Sequence, residues 1–191
     1  MKFVYSLAFL LGADNWKIDP TPEELMETVK SLPQKETTIL DLGCGDGHDC
    51  LTIAKAGYRT IGVDFVPLAI RKAKKAAETA GVGEQISFYQ GDVGNLDRLD
   101  LPKVDLAYDI GCFHLLEADK AQDYIEGLAA LLKKDGIFIL KAFAPRQQGK
   151  KTVGYAPHEI ETIFATLFKV EKTSDHSYWR YPATWYWMRR I

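Results

Sequence analysis

The sequence predicts an α/β fold, a doubly wound, mostly parallel seven-stranded sheet with an antiparallel edge strand. Three observations predict it. Short apolar and β-branched runs alternate with stretches of helical period, and strands separated by helical crossovers make a parallel sheet covered on both faces. A glycine-rich loop follows the first clear strand, as it does where such sheets bind ligands at their carboxyl ends. The last two strands have no helix between them, so they pair antiparallel at one edge.

The elements follow in order. A first helix opens at Thr21-Pro22-Glu23-Glu24, with Thr21 placed to cap, Pro22 at the first helical position and Glu24 completing a capping box; Pro33 closes it. Thr38 to Leu42 is a strand, followed by the glycine loop and a helix over Leu51 to Ala56. Arg59 to Asp64 is the second strand, Pro67 to Ala80 a basic-faced helix ended by Gly81, and Ile86 to Tyr89 the third strand. Val104 to Asp109 (strand), Asp119 to Lys133 (helix), Gly136 to Phe143 (strand) and Pro157 to Leu167 (helix) continue the alternation. The terminal strands are Phe168 to Lys172 and Thr184 to Arg190. In the latter, period-2 alternation puts Trp185 and Trp187 on one face and Tyr186 on the other.

With 191 residues the chain reads as one domain over 1–191, with 1–20 a candidate N-terminal lid segment. Apolar residues make up 47% and charged residues 26%, which excludes disordered and fibrous classes. Lys plus Arg total 24 against 26 for Asp plus Glu, so the cationic excess of a nucleic-acid binder is missing and no nucleic-acid partner is expected. Lys2 and the apolar run after it imitate a signal peptide, but Ser6 breaks the run and no small-x-small cleavage site follows. The run is too short to span a bilayer, so no membrane partner is expected. Cys44, Cys50 and Cys112 form neither a CxxC pair nor an even set, which fits a reducing cytoplasm and leaves no metal site.

Chemistry concentrates at the strand ends. Ile39-Leu40-Asp41-Leu42-Gly43-Cys44-Gly45-Asp46-Gly47 places glycines at alternate positions, where the backbone turns sharply and approaches a ligand closely. A dinucleotide fingerprint calls for Gly or Ala where this chain has His48. The acids Asp41 and Asp46 repel a pyrophosphate and suit an ammonium group. Asp64 ends the second strand, where a carboxylate accepts both hydroxyls of a ribose, and Asp92 follows the third, placed to accept from an exocyclic amine. These acids describe a ligand with an ammonium, a ribose and an adenine but no phosphate. The set resembles the S-adenosylmethionine (SAM) site of class I methyltransferases. The resemblance implies that Gly43, Gly45 and Gly47 wrap the methionine portion, Asp41 lies near its amino group, and Asp64 binds the ribose with Phe65 beside the adenine. It also implies that Asp92 accepts from the adenine amine and that the Val93 backbone N–H meets a ring nitrogen.

Beyond the fourth strand, the Asn/Asp-Pro-Pro-aromatic motif of amine-directed enzymes is absent. The segment Asp109-Ile110-Gly111-Cys112-Phe113-His114 resembles small methyltransferases of the thiopurine, thiol and tellurite-resistance group, as does the lead-in of Trp16 and Pro20-Thr21-Pro22. That resemblance implies a small-molecule acceptor, with a thiol, selenide or related soft nucleophile expected. His114 is the best-placed residue for proton removal, or else packs on the next helix. Asp109 is expected to help hold the methionine end, and Trp16 to close over the sulfonium or to pack under the first helix. Tyr178 and Trp179 are candidates to line the acceptor pocket. An amine, RNA or protein acceptor stays open as an alternative, as does a SAM-binding regulatory or assembly subunit without turnover.

Overall fold

The computed structural model describes residues 20–191 apart from 117, 150, 179 and 180. Trp16, the proposed lid, Trp179 and the side chain of Tyr178 therefore lie outside the described residues. The fold is a mixed, mostly parallel seven-stranded sheet with helices, as the sequence predicts. The chain divides into two units, one ending at Val93 and the other starting at Gly94.

In the first unit, β1 (Thr38–Leu42), β2 (Arg59–Asp64) and β3 (Ile86–Gln90) are parallel, in the order β3-β2-β1. The register runs Leu42↔Val63 and Asp64↔Gln90, so the three strands end side by side. The helices are α1 (Glu23–Lys30), α2 (His48–Lys55) and α3 (Pro67–Thr79). The bounds of β1 and β2 coincide with the sequence reading, because Gly, Asp and Arg punctuate both runs. The expected cap at Thr21 is corrected: its hydroxyl donates instead to Asp49 at 2.7 Å, tying the lead-in of α1 to the first turn of α2. A long-range partner wins over the local one.

The second unit holds β4 (Val104–Ile110), α4 (Ala118–Leu131), β5 (Leu132–Phe143), α5 (Pro157–Phe164), β8 (Phe168–Tyr178) and β9 (Tyr181–Arg190). A hairpin of β6 (Arg146–Gln148) and β7 (Lys151–Val153) interrupts them. Its sheet order is β4-β5-β9-β8: β5 lies parallel to β4, and β9 antiparallel to both β5 and β8. The terminal strands run longer than predicted, since β9 zips to β8 down to Tyr178↔Tyr181. Polar residues such as Ser174 and Asp175 read as loop in the sequence, yet the Thr184 hydroxyl donates to Asp175 at 3.0 Å across that ladder. The hairpin at 146–153 went unpredicted, as did the short 3-10 turns at Val93–Arg98 and Phe113–Leu115.

The core of the second unit is aromatic. Phe113, Tyr124, Phe138, Phe164 and Phe168 form a chain of ring contacts with centroids 5.1 to 6.4 Å apart. Such spacing is the favourable range for tilted and stacked rings. Trp185 and Trp187 sit on one face of β9 with centroids 6.2 Å apart, and Tyr186 is buried on the other.

Candidate active site

In the first unit, the loop between β1 and α2 is tied to the end of β2 by its own backbone. The N–H groups of Gly43 and Cys44 both donate to the Val63 carbonyl, at 2.8 and 3.0 Å. Asp64 completes the tether: one carboxylate oxygen accepts the Gly45 N–H at 3.0 Å and the other the Val66 N–H at 2.8 Å. Burial raises the Asp64 carboxyl above the usual range, and the N–H bonds from Val66 and Gly45 pull it back. Gly47 has φ +80, and a Cβ there would lie 2.7 Å from Phe88 and 3.0 Å from Ala73. Only glycine lets α2 start this close to its neighbours.

Beneath the loop, buried Asp41 accepts the Cys50 thiol at 3.3 Å. The Cys44 thiol is lowered by its hydrogen bond with Cys50, but burial and the carboxylates of Asp41 and Asp64 outweigh this and push it up to about 11. Burial, with Cys44 and Asp41 beside it, holds the Cys50 thiol well above its ordinary value. Phe65 is half-buried against Val66 and Ala69. The Gly91 N–H donates to the Asp64 carbonyl at 3.0 Å, which sets half-buried Asp92 and buried Val93 beyond β3.

The expected cofactor residues of this unit thus lie in β1, at the end of β2 and beyond the ends of the three strands. Their chemistry fits SAM. The segments 39–49, 62–66 and 90–93 carry five aspartates and no Lys or Arg, so they suit hydroxyl and ammonium donors and not phosphates. Each Asp64 oxygen takes one N–H and keeps a lone pair for a hydroxyl donor.

In the second unit, β4 delivers Asp109, which is fully buried. Its Oδ1 accepts the Cys112 N–H at 2.7 Å, and its Oδ2 accepts the Phe113 N–H and the Tyr124 hydroxyl, each at 2.9 Å. The carboxylate therefore pins the 3-10 turn that carries His114. Burial pushes the Asp109 carboxyl up to about 6, against the pull of these donors.

His114 is buried, with its ring 4.8 Å from that of Phe143 and its carbonyl accepting the Gly154 N–H at 3.2 Å. Its Nε2 lies 3.1 Å from Nη2 of Arg146. Burial first, and the Arg146 charge second, push its pKa down to about 3. Arg146 in turn lies 5.0 Å from the Phe143 ring centroid, and Lys141 Nζ lies 5.8 Å from the same centroid. The sequence reading missed Arg146, Phe143 and Lys141. The available signal was Gly149 between two short polar runs, which marks a hairpin turn and so folds Arg146 back over the chain. A pocket of about 380 Å³ also opens in this unit, lined by Ala142, Ala144, Tyr155, Pro157 and Thr184 with Asp175.

Comparison with known proteins shows the family of the chain. Residues 33–182 match the family model described as a methyltransferase domain. An uncharacterized methyltransferase of Schizosaccharomyces pombe, C750.03c, is 28% identical over 119 residues, covering 62% of this chain and 80% of that protein. Among solved structures, the 1,6-didemethyltoxoflavin-N1-methyltransferase of Burkholderia thailandensis, with bound 1,6-didemethyltoxoflavin and S-adenosylhomocysteine, superposes with a TM-score of 0.78. It is 20% identical and covers 99% of this chain and 89% of its own. A TehB-like SAM-dependent methyltransferase of Corynebacterium glutamicum gives 0.75 at 17% identity, covering 98% and 99%. With an acid-rich loop site and a family match over most of its length, this chain belongs to the methyltransferase domain family and is a SAM-dependent methyltransferase.

Proposed function

We propose that the enzyme methylates a small-molecule acceptor at a thiol, selenide or related soft atom. The observation that carries this reading is that neither His114 nor Asp109, two buried titratable groups near the tip of β4, is free to take a proton. The two oxygens of Asp109 hold three donors, and the Nε2 lone pair of His114 is engaged by Arg146. A thiol ionises unaided near neutral pH, whereas an amine or phenol needs a base about as strong as its task demands. The pocket of about 380 Å³ is of small-molecule size.

In this reading the glycine loop at Gly43, Gly45 and Gly47 receives the methionine portion of SAM, with Asp41 near its amino group. Asp64 holds the ribose, Phe65 lies beside the adenine, Asp92 accepts from its amine and the Val93 N–H meets a ring nitrogen. When bound, SAM supplies a methyl carbon on a cationic sulfur that is its own leaving group. The protein's part is to align the acceptor and keep water out. Asp109 acts as a positioning residue through the turn it pins. The buried free thiols of Cys44 and Cys50 support a reducing cytoplasm as the site of action. Among the described residues no helix is long and apolar enough to cross a membrane.

The test is mass spectrometry of methylated products from a panel of thiol, selenide, amine and phenol acceptors. Thiol and selenide are expected to outpace the others, with His114→Ala losing only modestly in rate at saturating acceptor and alkaline pH. A preference for amines, with that variant inactive at every pH, would overturn the soft-nucleophile reading and leave the cofactor assignment standing.

A further inference from the structure

The imidazole of His114 has a defined proton position. A guanidinium carries only donors, so the 3.1 Å approach of Arg146 Nη2 requires Nε2 of His114 to be the acceptor. The one proton of the neutral ring then sits on Nδ1. That atom is buried and has no hydrogen-bond partner among the described residues. A buried N–H left without an acceptor is destabilising, and folded proteins rarely leave one so.

The surroundings say what kind of acceptor completes it. Arg146 and Lys141 bring two cationic side chains within 6 Å of the Phe143 ring, against which His114 also packs. The backbone fixes this cluster. Arg146 pairs with Val153 across the hairpin, the Gly154 N–H holds the His114 carbonyl, and the Tyr155 N–H holds the Phe143 carbonyl at 3.0 Å. Gly154 has φ +97, and a Cβ there would lie 2.4 Å from the Ala144 carbonyl oxygen. The return of the hairpin onto His114 is therefore built for a glycine. The carboxylate of Asp109, which pins the turn carrying His114, is committed to that turn.

We propose that His114 and Arg146 form an anion-binding pair, in which the Nδ1–H of a neutral imidazole and the guanidinium beside it receive a negatively charged group of the methyl acceptor. His114 is then a hydrogen-bond donor to the acceptor and not its base. The anion is either the ionised nucleophile or a carboxylate that flanks it. The inference rests on the proposed acceptor reading only for which molecule brings the anion; the site itself is a property of the protein.

The experiment uses the full chain saturated with S-adenosylhomocysteine. Long-range proton–nitrogen NMR assigns the His114 tautomer, and titration with benzenethiolate, benzoate and benzyl alcohol follows the same ring. The expected result is a proton on Nδ1 whose signal moves with one or both anions and not with the alcohol. Response to thiolate alone identifies the nucleophile as the bound group, and response to benzoate as well identifies a flanking carboxylate. Anion affinity is expected to fall about tenfold to a hundredfold in His114→Gln and Arg146→Gln, the range for one charge-assisted hydrogen bond. His114→Asn, whose amide nitrogen takes the place of Nδ1, and Arg146→Lys, which keeps the charge, retain most of it. A proton on Nε2, binding of the alcohol as tight as of the anions, or equal losses in His114→Asn and His114→Gln would each overturn the proposal. If anions bind as described but the product panel shows no methylation at sulfur or selenium, the soft-nucleophile reading fails and the anion site stands.

Discussion

His114 also reports on itself through stability. Its folded pKa is depressed to about 3, so the folded chain binds fewer protons than the unfolded one below the ordinary histidine value of about 6.5. Its contribution is fully present above that value and is lost as pH falls towards 3. Asp109 works with the opposite sign: raised to about 6, it stabilises fully below the ordinary carboxyl value and loses that contribution as pH rises through 6. Asp64, also raised, follows Asp109. These opposing terms mask one another in the native chain, but they separate in a comparison. Relative to the native chain, His114→Asn should gain about 1 to 2 kcal/mol between neutral pH and pH 5, at about 1.4 kcal/mol per pH unit below the unfolded pKa. Urea unfolding at several pH values measures it, and a pH-independent difference would mean that His114 is protonated normally.

At the level of elements, Phe88 on β3 is the wedge that sets how close α2 comes to the sheet. A Cβ at Gly62 would meet its ring at 2.7 Å and the Cys44 sulfur at 2.8 Å. Gly62→Ala should cost about 1 to 3 kcal/mol by overpacking, and Phe88→Leu should relieve part of that cost. The double variant is expected to lose less than the two single losses added, by about 0.5 kcal/mol or more. Simple additivity in chemical denaturation would show that the ring is not the obstacle. The same elements show what was legible beforehand. The strands β1 and β2 could be bounded from sequence because Gly and Asp end them, and the acids at their tips could be grouped because spacing alone carries that signal. The pairing of Arg146 with His114 could not: Gly149 marks the hairpin turn, but the contact spans 32 residues and the polar hairpin has no hydrophobic period to fix where it lands. Nor could the commitment of Asp109, because its third donor is Tyr124 on the next helix.

For the molecule as a whole, the acids proposed for SAM lie in the unit ending at Val93, and the His114 and Arg146 pair in the unit starting at Gly94. This division predicts separable defects. Asp64→Ala should weaken SAM about tenfold to a hundredfold by calorimetry, through lost hydrogen bonds to a charged group. His114→Gln and Arg146→Gln should leave SAM affinity within about threefold and act on the acceptor instead. A fall in SAM affinity in either of these as large as that of Asp64→Ala would remove the division. The thiols of Cys44 and Cys50 carry a last consequence. Cys44 in the glycine loop and Cys50 beneath it are buried with their ionisation suppressed, while Cys112 in the other unit is half-exposed. Because thiolate is the form that alkylating reagents attack, those two sulfurs can be labelled only in the moments when the loop and its strand ends come apart. Their labelling rate is thus a native stopwatch for the breathing of the cofactor cradle, readable without any probe being introduced, and a bound ligand that clasps the cradle should slow it.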